Sequence, residues 1–147
     1  MISIRYAAID DIPELLSLID QLGYPTPLKN FKKRFKKYTI LDGYGVAVAC
    51  DSSKIIGLVA WSKSVPFVLD KIRIRIEGLV IDAQHRKKGV GKKLMAFIEK
   101  FAMKYSPAII ELTTGLRRAK DGSHEFYKSI GYKNEGHMAK LYLRKEI

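Results

Sequence analysis

Apolar residues change their period several times along the chain, and each change marks an element. Residues 2–6 place Ile2 and Ile4 on one face of a first strand. Ile12, Leu15, Leu16, Ile19 and Leu22 then follow the i, i+3, i+4, i+7 rhythm of an amphipathic helix. Asp11 and Glu14 stand three apart as a capping box, Pro13 is tolerated in the first turn, and Gly23 supplies the stop. Thr26 is placed as the N-cap of a second helix with Pro27 at its first position and Leu28, Phe31, Phe35 and Tyr38 on its inner face.

The period then falls to two. Residues 45–50 and 55–62, separated by Asp51-Ser52-Ser53-Lys54, predict an antiparallel hairpin. After a connection over 64–70, residues 71–81 alternate Ile72, Ile74 and Ile76 against Arg73, Arg75 and Glu77 and then become continuously apolar, which predicts a strand passing from half-exposed to fully buried. A polar turn leads into Arg86-x-x-Gly89-x-Gly91, and helical spacing resumes with Val90, Leu94, Phe97, Ile98, Phe101 and Tyr105 facing inward and Pro107 closing the helix. Residues 108–113 predict a short strand, 115–122 a basic loop and 123–130 a short helix, which Gly131 ends in a left-handed position. Residues 132–133 and 137–143 predict two last strands around Asn134-Glu135-Gly136. No repeat interrupts the series.

Composition narrows the class. At 147 residues with 47% hydrophobic content the chain is expected to be one domain, 1–147, with a single sizeable core. No apolar run approaches the roughly 20 residues of a membrane span, and the first residues lack the charged start and apolar core of a signal peptide. With Cys50 as the single cysteine, the expectation is a cytoplasmic protein without disulfides or a membrane partner. Cys50 itself falls in a strand and is expected to be a small buried residue. The formal charge of +12 could serve a nucleic acid, an anionic surface or an anionic cofactor. It is gathered in three places: Lys29, Lys32, Lys33, Arg34, Lys36 and Lys37; the cations around Gly89 and Gly91; and Arg117, Arg118 and Lys120.

The second cluster alone comes with a backbone anion site. A helix starting near Gly89 turns its first N–H groups outward, glycines let a phosphate approach the backbone, and Arg86, Lys87, Lys88, Lys92 and Lys93 concentrate charge there. That arrangement suits a ligand with several phosphates, and the stretch is expected to be a pyrophosphate cradle. The spacing fits neither a P-loop nor a dinucleotide fingerprint. His85, His124 and His137 lack any metal-ligand spacing, so no metal is expected, and no nucleophile elbow or carboxylate pair indicates a hydrolase. A basic nucleic-acid-binding module is the alternative of another class; no helix-turn-helix, RRM or zinc pattern supports it, so nucleic acid is not the expected partner.

Arg86-x-x-Gly89-x-Gly91 after a strand ending Val80-Ile81-Asp82 resembles the acetyl-CoA loop of the GNAT N-acetyltransferases. Phe126-Tyr127-Lys128-Ser129-Ile130-Gly131-Tyr132 is similar to the Phe-Tyr-x-x-x-Gly-Phe/Tyr segment that follows their fifth strand, and 2–26 is similar to the opening of bacterial members. The resemblance covers nearly the whole chain. It implies an α/β GNAT fold: a mixed, mostly antiparallel sheet of six to seven strands with about four helices, splayed between the fourth and fifth strands to admit acetyl-CoA. It implies direct transfer of acetyl to an amine in a ternary complex, with no metal. Carried over residue by residue, Leu79, Val80 and Ile81 face the pantetheine arm and polarise the thioester, and Arg86 with 87–92 (Lys87, Lys88, Gly89, Val90, Gly91, Lys92) holds the pyrophosphate. Many members have an Asn seven residues before the family tyrosine; here Lys120 stands there, with a reach toward a cofactor phosphate.

Acyl transfer needs a base for the amine and an acid for the thiolate. Glu77 sits where polar alternation gives way to an apolar run, which points its carboxylate into a partly desolvated cleft, and the family uses a Glu there as base; the other reading is a carboxylate paired with Arg73 or Arg75 across the sheet. Tyr127 is the acid implied by the resemblance, against a buried aromatic whose hydroxyl is merely satisfied. The acceptor mouth it implies includes Tyr24, Pro25, Thr26, Glu77, Asn134, Glu135 and His137. The partner is expected to be a small-molecule amine, and a homodimer is left open. A CoA sensor without turnover would keep the loop and not require Glu77 or Tyr127.

Overall fold

The computed structural model describes residues 1–115 and 122–147. These divide into two compact units, Met1–Leu112 and Thr113–Ile147. The first contains a five-stranded sheet in the order β1-β2-β3-β4-β5, with β1 Ile2–Tyr6, β2 Gly45–Asp51, β3 Lys54–Ser64, β4 Ile72–Ile81 and β5 Ala108–Glu111. The pairs from β1 to β4 are antiparallel, and β4 pairs β5 in parallel, so the sheet is mixed. Helices α1 Ile12–Leu22 and α2 Leu28–Thr39 lie between β1 and β2, and α3 Val90–Met103 lies between β4 and β5.

Period-two alternation of β2 and β3 buries side chains on both faces, and the helices cover them. Ile12, Leu15 and Leu18 of α1 and Phe31 and Phe35 of α2 cluster with Val46, Val48, Cys50, Ile55, Leu58 and Val80. On the other face Trp61 meets Phe97 and Phe101 of α3, with ring centroids 6.1 and 5.3 Å apart, and Tyr6 of β1 at 5.9 Å. Leu94, Met95 and Ile98 are buried along the same helix. Cys50 is a buried free thiol.

Two helix starts differ from the pattern. Asp11 precedes α1 but makes no side-chain cap bond. Its carboxylate instead accepts from the Ala8 N–H at 2.7 Å and from both terminal nitrogens of Arg5 at 2.7 and 2.9 Å. Glu14 likewise leaves the helix end, accepting from the Ile55 N–H at 2.9 Å. The carboxylates found donors outside the helix, one of them a guanidinium, which makes stronger charge-assisted bonds than a neutral amide. For α2 the cap position is Pro27, one residue later than expected, because its extended backbone precedes the first helical residue.

The second unit holds α4 Ser123–Ser129, followed by Gly131 in the left-handed conformation at φ 96°. Among the described residues neither strand expected after it is present: 132–133 lies outside any strand, with the Tyr132 N–H donating to the Tyr127 carbonyl at 3.0 Å, and Gly136–Met138 is a 3-10 turn followed by chain without regular structure. The sheet therefore has five strands among the described residues rather than six to seven. Gly136 at φ 58° bends the chain, and the N–H groups of Met138 and Ala139 bond back to Glu135 and Gly136 at 3.2 Å, which removes them from any ladder. Leu141, Tyr142 and Leu143 form an apolar run that a buried strand would use, yet all are exposed.

Candidate functional site

The site grows from one irregularity in β4. Consecutive residues Ala60 and Trp61 of β3 face Gly78 and Ile76 of β4, so Glu77 is an extra residue at a β-bulge. The bulge explains why β4 does not become fully buried after Glu77, as its sequence suggests: Ile74 and Ile76 are buried on one side of it, and beyond it Val80 is buried while Leu79 and Ile81 are half-buried. Pairing with β5 has already stopped by then. It covers Ile72 to Arg75 against Ala108 to Glu111, and β4 runs on to Ile81 without a strand on that side among the described residues. The result is an open backbone edge carrying Leu79, Val80 and Ile81.

Glu77 is held by side chains on its neighbours. Ser62 Oγ, itself buried, donates to Glu77 Oε1 at 2.7 Å, and Arg75 Nε stands 3.9 Å from the same oxygen. Arg75 also reaches Glu111 Oε1 at 3.3 Å, as does Arg73, so the last paired residues of β4 and β5 are joined by charge. The Arg73 Nε is buried without a well-angled acceptor, and its 3.3 Å approach to Glu111 is an ion pair rather than a hydrogen bond. Tyr38 of α2 lies on the same side and donates its hydroxyl to the Trp61 carbonyl at 2.7 Å; burial pushes its phenol pKa up, and the Glu77 charge adds to that. The Glu77 side chain is 41% exposed. It thus sits in a polar, water-accessible setting rather than the desolvated cleft its sequence suggests, and the pairing with Arg75 is present.

Past β4, Asp82 to His85 form a 3-10 turn and the basic loop begins. Arg86 Nε donates to the Ile81 carbonyl at 3.1 Å and Lys88 Nζ to the Gln84 carbonyl at 3.1 Å, so both side chains fold over the loop. Lys87 takes φ 61° and Gly89 φ 80°, a left-handed pair that curls the backbone ahead of α3. Gly89 is the N-cap residue, and Lys93 N–H to the Gly89 carbonyl, at 3.1 Å, closes the first turn. The N–H groups of Val90, Gly91 and Lys92 come before any intrahelical acceptor and carry the positive end of the helix dipole. A Cβ on Gly89 would meet nothing within 4 Å, so the space before the helix is open. Val90 anchors the loop and is 1% exposed. An open strand edge ending in a curled, cationic helix start fits a ligand with an extended amide-bearing arm and a pyrophosphate.

Tyr24 follows α1 in the first unit and is 64% exposed. Tyr127, Glu135 and His137 belong to the second unit, where Tyr127 is partly buried between Phe126 at 5.2 Å and Tyr132 at 6.2 Å, and Glu135 and His137 are exposed. Lys120 lies outside the described residues. Ser62 and Glu111 have no signal in the sequence because their roles come from cross-strand register, and Tyr38 none because its bond to the Trp61 carbonyl depends on how α2 packs on β3. The same holds for Gln21, which donates to Asp82 and accepts from the Ala83 N–H. No local motif announces either kind of contact. Among the described residues no group of three or more His, Cys, Asp or Glu could hold a metal, and no helix is long and apolar enough to cross a membrane.

Residues 10–132 match the model of the acetyltransferase (GNAT) family. A GNAT family acetyltransferase from Staphylococcus aureus is 31% identical, with 99% of this chain and 98% of that one covered and a TM-score of 0.80. An aminoglycoside 6'-N-acetyltransferase from Acinetobacter baumannii has a TM-score of 0.82 at 15% identity, over 100% of this chain and 99% of that one. An aminoglycoside N-acetyltransferase solved in complex with CoA gives 0.83 at 17%, over 100% and 96%. At such identities the last two speak for the fold alone. No curated protein matched the chain.

Proposed function

The chain belongs to the GNAT acetyltransferase family, and from that premise we propose that it moves acetyl from acetyl-CoA to a small amine by direct attack in a ternary complex. One observation carries the reading: the open edge of β4 beyond the Glu77 bulge runs straight into the cationic start of α3. The backbone of Leu79, Val80 and Ile81 pairs with the pantetheine arm. The N–H groups of the 87–92 loop and the side chains of Arg86, Lys87, Lys88 and Lys92 hold the pyrophosphate, and Lys120 is assigned to a further phosphate. Bound acetyl-CoA supplies an acyl group activated as a thioester. Glu77 takes the proton of the attacking amine as the new N–C bond forms, and Tyr127 gives a proton to the sulfur as the C–S bond breaks. Ser62 keeps one carboxylate oxygen of Glu77 oriented. Residues 1–147 act as one transferase domain in this reading, which the family match across both units supports.

The acceptor is assigned to Tyr24 and Glu77, with Glu135 and His137 as further residues of the proposed mouth. Arg75 stands 3.9 Å from Glu77, so both signs of charge are present at the proposed base, which favours a small primary amine or amino-acid-like acceptor, ahead of an aminoglycoside-type compound or a protein lysine. The test is calorimetric titration of acetyl-CoA into the wild-type protein and Glu77→Gln, with turnover followed on the same samples. Both should bind acetyl-CoA alike, while Glu77→Gln loses kcat/KM and the acidic limb of its pH profile. Tight binding of duplex DNA without binding of acetyl-CoA would favour the nucleic-acid module.

A further inference from the structure

The turn that opens the phosphate loop is fastened to the helix that leads to the acceptor segment. Gln21 stands in the last turn of α1, and its amide uses both ends: Oε1 accepts from the Ala83 N–H at 2.9 Å, and Nε2 donates to Asp82 Oδ1 at 3.0 Å. The other Asp82 oxygen lies 2.8 Å from His85 Nδ1, and the Asp82 N–H donates to the Ile56 carbonyl at 2.8 Å. Asp82 is thereby held by α1, β3 and the turn at once. The Gln21 amide, ahead of His85, keeps the Asp82 carboxyl below the usual carboxylate range. On the helix side, the Tyr24 N–H donates to Ile19 at 3.1 Å and the Gly23 N–H to Asp20 at 2.9 Å, so Tyr24 moves with the turn that carries Gln21.

We propose that Gln21 is a positioning residue that sets the entry of the 86–92 loop and couples it to the Tyr24 segment, so that filling the loop with the phosphates of CoA also orders the segment assigned to the acceptor. The inference rests on the reading of that loop as a CoA site. An amide is the side chain suited to the place, since Asp82 needs a donor and the Ala83 N–H an acceptor within one planar group. A carboxylate would satisfy Ala83 and repel Asp82. Asn, one methylene shorter, would not span the gap.

CoA is titrated by calorimetry into the wild type, Gln21→Met and Gln21→Glu, and amide hydrogen exchange is followed with and without CoA, with unliganded melting temperatures recorded alongside. Gln21→Met keeps the bulk and loses both bonds; it should weaken CoA binding roughly tenfold. Gln21→Glu should weaken it further. In the wild type CoA should slow exchange over both 82–92 and 19–26, and in Gln21→Met over 82–92 alone, which a role confined to stability would not produce. Equal affinity in all three proteins, or protection of 19–26 that survives in Gln21→Met, overturns the inference while leaving the CoA site intact. Absence of CoA binding in the wild type removes the CoA reading and this inference together.

Discussion

Asp11 shows how far a single residue could be read. Its place before the first helix was legible because Asp, Pro13 and the apolar rhythm converge there. Its partner was not, since a bond to Arg5 depends on where β1 ends. The Arg5 guanidinium, and after it the Ala8 N–H, hold the Asp11 carboxyl below the usual carboxylate range against the opposing effect of burial. A depressed folded pKa contributes stability that is fully present above the unfolded value of about 3.9 and disappears as pH falls through the folded value. Asp11→Asn should therefore cost about 2 kcal/mol at neutral pH. It should also flatten the loss of stability below about pH 4, both measured by urea denaturation across pH. Gly89 makes a second case. Its φ of 80° is strained for any other residue, yet an added Cβ meets no atom. Gly89→Ala should cost about 1 kcal/mol of stability, and should weaken acetyl-CoA binding because the methyl occupies the space a phosphate needs.

At the scale of elements, β1 to β5 and helices α1 to α4 were legible from period and punctuation, most firmly α1, α2, α3, β2, β3 and β4, whose buried residues their own sequences mark out. The bulge at Glu77 and the early end of β4–β5 pairing were not, since register is a property of two strands and neither strand's alternation reports it. The last two strands failed for a related reason: His137 to Leu143 is rich enough in apolar residues to suggest a strand, but the turn at Gly136 takes the N–H groups of Met138 and Ala139. Glycines inside the sheet test the packing directly. A Cβ on Gly45 would lie 2.3 Å from the Trp61 ring, whereas one on Gly78 would meet only Leu22 at 3.4 Å. Gly45→Ala should lose about 1–3 kcal/mol through overpacking against a residue fixed by three rings. Gly78→Ala should stay within about 0.5 kcal/mol of wild type. Thermal denaturation of the pair checks this, and equal losses would mean that Trp61 yields where the packing says it is fixed.

The whole molecule carries +12; in the proposed reading the loop cluster meets the phosphates of acetyl-CoA, while α2 keeps Lys29, Lys32, Lys33, Lys36 and Lys37 exposed to water. Electrostatic capture of a polyphosphate by exposed cations is screened by salt, so KM for acetyl-CoA should rise between about 0.05 and 0.5 M salt, where the Debye length shrinks severalfold. KM for a neutral or zwitterionic acceptor should change far less over the same range. Acetyl transfer is the step on which the proposed function stands. It is tested most directly by incubating the protein with acetyl-CoA bearing a deuterated acetyl group and a panel of amines, and locating the label by mass spectrometry. Label should appear in an acetylated amine in equal amount to the CoA released, and should be lost in Glu77→Gln. Acetyl-CoA that binds but is never consumed, or label found only in acetate, would contradict transfer and leave a CoA-binding sensor as the better reading.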